Sequence, residues 1–402
     1  MPVSRRGFLR LVGAADAAPF SGEFLAARGL EAHFAEAQTQ GQRARPVLPP
    51  GVDEIRLSSN ENPLGPGRAA LDAIRRQFGE AGRYPFNSTP ADGDLIAAIA
   101  AMHKIKPENI VLGAGSQEIL KSSVRAFVTP TQALVTALPT FENPTTFCKR
   151  HKLPVIEVKV DSAFRLDVEP MIGAASAGAG LVFFNNPNNP TATVHSAKTV
   201  TDMVERIRKA SPTTVILIDE AYHEYVTDPS YQTAVPLALA TPNVVVARTF
   251  SKAFGMAGMR IGYAIGTAET MKKLAALKMP YNISVFGVAA ALASLNDPKH
   301  LELERKRNTE VRAFTVKALE EMDVKAADSQ GNFIFVETGR PAADFRDACA
   351  KLGVAVGRPF PPFEKTHARI SIGTMEEMKK AVAVFRTVLK TPTVATSDKG
   401  GR

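Results

Sequence analysis

"VVVARTFSKAFGMAGMRIGYAIG" occupies residues 244–266 and carries a single lysine, Lys252, between the apolar runs "VVVART" and "IGYAIG". Both runs are short, β-branched and apolar at successive positions, the pattern of strands covered on two faces. Ser251, Ala253 and Gly255 surround the lysine, and Arg248 and Arg260 flank it. An ammonium enclosed by such strands is not placed there for solubility. Burial disfavours its charged form and turns it into an amine nucleophile.

Working outward, the same strand character recurs in "NIVLGAG" (109–115), "ALVTALP" (133–139), "PVIEVKV" (154–160), "GLVFFNN" (180–186) and "TVILIDE" (214–220). With "NVVVARTF" (243–250) and "RIGYAIG" (260–266) these make seven strands. Helical periodicity fills intervening segments such as 117–127 and 197–209. Alternating strands and helices predict an α/β fold, a mostly parallel seven-stranded sheet covered by helices. A long helix over 298–322 follows, with Asp297 as cap and Pro298 in its first turn. The strand-like "NFIFVET", "GVAVGRPF" and "ARISIG" then predict a smaller α+β unit. The expected division is a leader at 1–37, an extended arm at 38–67, a large domain at 68–285, a small C-terminal domain at 286–392 and a tail at 393–402.

The 402 residues are 45% hydrophobic and 22% charged, an ordinary globular balance. A net charge of +9 is spread without a basic block and aromatics are only 7%, which disfavours nucleic acid and suits small anionic substrates. Cys148 and Cys349 form no CxxC, and the seven histidines lack metal-ligand spacing, so no metal is expected. "SRRGFLRLVGAADAAPF" (4–20) resembles a twin-arginine export signal, with Ala35-Glu36-Ala37 as a cleavage site, which implies a periplasmic or exported protein. Asp16 within its apolar stretch supports the competing reading, a basic tail on a cytoplasmic protein. The stretch from Phe8 to Phe20 is too short and too polar to span a bilayer, and no other segment is apolar for long enough.

In open parallel sheets, ligands bind beyond the carboxyl ends of the strands. Asn189, Asp219, Tyr222 and Lys252 follow three such ends and are expected to converge. At a fourth, "IVLGAGS" opens into a helix whose glycine turn and Ser116 present N–H groups and a hydroxyl to an anion. A buried aspartate needs a positive partner, which a protonated pyridine nitrogen supplies. Lysine for an imine, aspartate for a ring nitrogen and a phosphate cup together describe pyridoxal 5′-phosphate.

The chain also resembles the fold-type I pyridoxal-phosphate aminotransferases, within them the histidinol-phosphate branch. The matching stretches are "SSNENPLGP" (58–66), "RYP" (83–85), "GAGSQEIL" (113–120), "PTF" (139–141), "NPNNPT" (186–191), "DEAYHEY" (219–225), "TFSKAFGMAGMRIGY" (249–263) and "RISIG" (369–373). They fall in family order over residues 55–375. The resemblance implies that Lys252 carries the cofactor as an imine, Asp219 pairs with its ring nitrogen, and Asn189 and Tyr222 face its ring oxygen. It assigns the phosphate to Ser116, Gln117, Ser251 and Arg260, the ring face to Phe141, and a neighbouring subunit's phosphate to Tyr84. Arg369 and Asn60 are implied in substrate binding.

The implied reaction moves an amino group to a 2-oxo acid such as 2-oxoglutarate, in a homodimer with shared sites, with Lys252 moving the proton. A decarboxylase or lyase on the same fold is the alternative. A non-enzymatic cofactor-binding regulator is less favoured, because residues 1–54 are too short and irregular for a helix-turn-helix. A nicotinamide dehydrogenase would need a G-x-G-x-x-G after an early strand, which is missing. Two positions depart from the family pattern. Ala192 stands where glycine is usual after "NPT". Gly357 stands where an arginine usually grips substrate phosphate, with Arg358 one residue later and, in a strand, on the opposite face. That departure leaves the donor open between a histidinol-phosphate-like compound and an aromatic amino acid.

Overall fold

Seven expected strands pair into one sheet: β2 (Ile110–Ala114), β3 (Leu134–Leu138), β4 (Val155–Lys159), β5 (Leu181–Asn185), β6 (Val215–Asp219), β7 (Val244–Thr249) and β8 (Ile261–Gly266). The computed structural model describes residues 54–390; the leader with its cleavage site, the start of the arm and the tail lie outside them. The strand order is β2-β8-β7-β6-β5-β3-β4. Only β8 runs against its neighbours, β2 and β7. Each of β5, β6, β7 and β8 is buried at every position, which is why they read as unbroken apolar runs rather than alternating ones. β4 lies at the edge and exposes Ile156, Glu157 and Lys159.

Alternate residues of the same strands feed two cores. Phe184, Ile216, Ile218 and Val246 face one helix layer, with Val200, Met203 and Ile207 of helix Ala197–Ala210. Phe183, Leu217 and Val245 face the other, with Ile119, Leu120 and Val124 of helix Ser116–Phe127. The period-2 alternation of a strand produces this division directly.

The small unit has its own core, with Leu57, Val311, Phe345, Ile370 and Phe385. Its long helix is Pro298–Glu320, two residues shorter than expected, and the Asp297 carboxylate accepts the His300 N–H at 3.3 Å. β9 (Phe333–Glu337) and β11 (His367–Ser371) pair antiparallel, with Arg369 opposite Phe335.

Two expected boundaries are corrected. Helix Val285–Leu295, assigned to the small domain from residue 286, puts Val288, Ala290 and Ala291 into the core of the large sheet. Its sequence, "VFGVAAALASL", is apolar on all sides and so does not reveal which core it joins. The arm ends in β1 (Ile55–Leu57), which pairs in parallel with β10 (Val354–Val356) and sends Leu57 into the small core. Three residues are too few for a period to be read. Tyr225 ties the two units together, donating to Glu304 Oε1 at 2.8 Å; the same carboxylate accepts from Arg307. Among the described residues no helix is long and apolar enough to cross a membrane, and no cluster of His, Cys, Asp or Glu is disposed to hold a metal.

Candidate active site

β5 and β6 end in register, Asn185 opposite Asp219, and β7 runs two residues past Ala247, the partner of Asp219. Asp219 is therefore the last residue of a central strand, and its carboxyl is buried with the Ala221 N–H at 3.2 Å. Burial pushes its pKa up to about 7. A cation set against this carboxyl would restore the ionised form, so the site asks for one.

Lys252 leaves the end of β7, half-buried, with Nζ 3.2 Å from the Ser59 carbonyl and 5.6 Å from the centre of the Tyr222 ring. Loss of hydration, then the Arg369 charge, lowers its pKa to about 8. Tyr222 is buried and its hydroxyl accepts from Asn60 Nδ2 at 3.2 Å; burial raises its pKa to about 12. Asn60 is held in turn by Ser371, whose hydroxyl donates to Asn60 Oδ1 and accepts the Asn60 N–H, both at 2.8 Å. The Asn60 side chain is thus committed to Tyr222 and Ser371, and its effect on a substrate passes through Tyr222.

The anion cup lies beside these groups. Helix Ser116–Phe127 begins with no side-chain cap, so the first N–H groups, those of Ser116 and Gln117 among them, stay open to an anion. Arg260 sits in the left-handed region at φ 57°, its guanidinium 3.3 Å from Ser251 Oγ and 2.8 Å from the Ala257 carbonyl. A Cβ on Gly115 would fall 2.3 Å from Arg260 Nη2, and one on Gly262 would fall 2.4 Å from Ser116 N. Glycine at 115 lets the guanidinium close on the turn, and glycine at 262 lets the backbone of the turn approach the strand. Thr249, not singled out from the sequence, donates to Ser251 Oγ at 2.9 Å and orients it.

On the substrate side, Arg369 is buried, with Nη1 donating to Asn189 Oδ1 at 2.7 Å and Nη2 to the Ser58 carbonyl. Its Nε has no partner. Burial lowers its pKa to about 10. Phe333 and Phe360 face its guanidinium at 5.8 and 4.9 Å. Expected residues from five separate stretches therefore meet: Asn60, Asn189, Tyr222, Lys252 and Arg369.

Residues 52–385 match the family model of class I and II aminotransferases. The chain belongs to that family. Histidinol-phosphate aminotransferases from Symbiobacterium thermophilum and an Anaeromyxobacter species are 32% and 33% identical to it, over 84% of this chain and 91% and 92% of theirs. The crystal structure of histidinol-phosphate aminotransferase from Sinorhizobium meliloti in complex with pyridoxal 5′-phosphate superposes with a TM-score of 0.77 at 29% identity, covering 84% of this chain and 91% of that one. The fold is that of the fold-type I enzymes, and the protein is an aminotransferase dependent on pyridoxal 5′-phosphate. Its residues fit the cofactor on their own chemistry: a buried carboxyl short of a cation, a dehydrated amine and a cup shaped by two glycines.

Two expected residues lie outside this network. Phe141 packs half-buried against the core beside helix Ser116–Phe127. Tyr84 is 59% exposed, in contact with the rings of Tyr281 at 4.6 Å and Phe86 at 6.0 Å. The expectation for Arg358 needs correction. β10 stops at Val356, so strand alternation does not govern residue 358. Its guanidinium lies 4.1 Å over Phe360, the ring that Arg369 also faces, and is bonded to Glu142. Glu142, Phe360, Ser371 and Glu220, the buried partner of Arg248, are not singled out by the sequence. For Glu220 alone there is a signal, the charge of Arg248 in an apolar strand.

Proposed function

We propose that this aminotransferase moves the amino group of an amino acid or amine phosphate, histidinol-phosphate-like or aromatic, to a 2-oxo acid such as 2-oxoglutarate. The arrangement of buried Asp219 and Arg369 about the half-buried Lys252 carries this reading. Bound there, pyridoxal 5′-phosphate supplies the electron sink, and Asp219 keeps its ring nitrogen protonated. Arg369, planar and nearly dry, binds an anionic group of the substrate in a bidentate manner. Lys252 Nζ, short of hydration, accepts a proton from the substrate carbon and returns it as general base and acid. Asn60 and Asn189 orient Tyr222 and Arg369 for these tasks.

The named activity of the relatives supports an amine phosphate as donor. The Phe333 and Phe360 rings around Arg369 support an aromatic amino acid as the second reading. A homodimer is part of the proposal: Phe78, Tyr84, Phe86, Met279 and Tyr281 expose large apolar side chains, as a surface covered by another copy would. Export is a further part, supported by the Arg5-Arg6 leader and tested by fractionating cells that express the full chain. The deciding experiment is a half-reaction screen, watching the cofactor spectrum on addition of histidinol phosphate, phenylalanine, tyrosine, glutamate or aspartate. If none converts the cofactor, transamination of this substrate class is rejected.

A further inference from the structure

Position 357 is closed to any side chain: a Cβ on Gly357 would lie 2.6 Å from the Arg369 carbonyl and 3.3 Å from Arg369 Nε. The next residue, Arg358, leaves the strand end and lies across Phe360 at 4.1 Å, while Arg369 faces the same ring at 4.9 Å. One buried aromatic ring therefore brings two guanidinium groups into a single neighbourhood. Their proximity is felt electrostatically. After burial and the opposing pull of Tyr222, the Arg358 charge is a further cause that lowers the Arg369 pKa.

Two like charges side by side suit an anion with charge enough for both. Arg358 already has a stand-in, the Glu142 carboxylate, and donates also to the Pro359 carbonyl at 3.0 Å. The Arg358 and Glu142 side chains are 47% and 46% exposed, so their ion pair is of the weak, water-screened kind. Glu142 adjoins Phe141 at the end of "PTFE", on the large domain, and Arg358 belongs to the small unit. Glu142 Oε2 and Arg369 Nε are both buried and unpartnered, so neither group has its hydrogen bonding complete.

We propose that Arg358 is a second anion-binding group of the substrate site, held by Glu142 until a doubly negative substrate displaces that carboxylate. A singly negative substrate takes Arg369 alone and leaves the Glu142–Arg358 pair closed. The site then distinguishes a dicarboxylate or phosphate ester from a monocarboxylate by charge, with Glu142 as the internal competitor. This rests on the proposed reaction only in that the ligand is the amino donor or acceptor.

Calorimetric titration of the holoenzyme with glutarate and with butyrate tests it, in the wild type, Glu142→Gln and Arg358→Gln. The wild type is expected to prefer glutarate, Glu142→Gln to raise that preference at least threefold, and Arg358→Gln to lower it at least tenfold. A parallel comparison of histidinol phosphate with glutamate in the wild type and Arg358→Gln, read as half-reaction KM against kcat, separates a phosphate ester from a dicarboxylate as the natural doubly negative ligand. The effect is expected in KM. A wild-type ratio near one, an Arg358→Gln ratio equal to wild type, or equal losses for both ligands would overturn the proposal. Failure of every donor to convert the cofactor would instead reject the transamination reading, whatever the glutarate ratio.

Discussion

Asn60 Nδ2 donates to the Tyr222 hydroxyl at 3.2 Å while Ser371 Oγ holds Asn60 Oδ1 at 2.8 Å. A loop following β1 and a strand of the small unit thus jointly aim a ring that follows β6. Asn60 sits at φ 53°, where asparagine and glycine are at ease and alanine is not. Asn60→Gly removes the side chain and keeps the backbone. We expect kcat to fall about 100-fold, the scale for losing one oriented polar group in a dry site, with little change in melting temperature. Full activity in Asn60→Gly would remove Asn60 from the machinery.

Lys252 carries the sharpest pH prediction. With its pKa lowered from 10.5 to about 8, its neutral amine at pH 7 is roughly 300-fold more abundant than that of an ordinary lysine. In protein stripped of cofactor, the rate of reconstitution with pyridoxal 5′-phosphate should climb with pH to about 8 and flatten above it. A rate still climbing tenfold per unit at pH 10 would contradict this. Lys252→Ala should abolish both turnover and the spectrum of the attached cofactor.

Asp219 predicts a split between stability and activity. Its folded pKa, about 7, lies above the ordinary 3.8, so between those values the folded chain holds a proton that the unfolded chain releases. Cofactor-free stability therefore falls as pH rises from about 4 to 7, by roughly 4 kcal/mol from this group. Asp219→Asn should remove that slope while reducing activity about 1,000-fold, since a neutral amide cannot pair with a protonated ring nitrogen. Glu224, raised to about 6 by burial, slopes in the same direction, so the wild-type-minus-variant difference is the quantity to plot. An unchanged slope would mean that Asp219 is ionised throughout.

The central strands of the sheet were legible because β5, β6 and β7 are buried at every position and so spell themselves out as apolar runs, closed by Asn185, Asp219 and Thr249. Lys252 and Asp219 were legible for the same reason: a charge at the end of such a run stands out. Groups that act through geometry left no such mark. Ser371 and Thr249 are ordinary hydroxyl residues until the fold sets them 2.8 and 2.9 Å from Asn60 and Ser251. The Glu142–Arg358 contact joins positions 216 residues apart. The sequence of helix Val285–Leu295 leaves its packing against the large sheet unmarked, because packing partner, unlike helicity, is not a local property.

Ala192 offers a test of how a departure from glycine is tolerated. It occupies φ 62° with its methyl fully buried among Tyr222, Tyr225 and Phe333. Left-handed backbone costs alanine about 1–2 kcal/mol. Against that, the buried methyl contributes about 0.8 kcal/mol and the stiffer unfolded chain about 0.4–1 kcal/mol. The terms nearly cancel, so Ala192→Gly should change stability by less than about 1 kcal/mol in chemical denaturation. A gain above about 2 kcal/mol would show that burial does not offset the strain.

Tyr84 decides whether the site is shared. It is 59% exposed and stands in a cluster with Phe86 and Tyr281, on the apolar surface that the proposed homodimer would cover. In a shared dimer, one chain supplies Lys252 and the other the Tyr84 hydroxyl. Tyr84→Phe removes the hydroxyl and spares the ring contacts, so we expect a cofactor Kd about tenfold weaker, near 1.4 kcal/mol, with an unchanged melting temperature. Mixing Tyr84→Phe chains with Lys252→Ala chains is more decisive. Each hybrid dimer holds one site with wild-type Lys252 and wild-type Tyr84, and one site lacking both. Activity per Lys252 should therefore rise above that of the Tyr84→Phe parent as the Lys252→Ala chain is added in excess. No rise on mixing, with hybrids confirmed by mass, would place Tyr84 within its own subunit's function or outside function altogether.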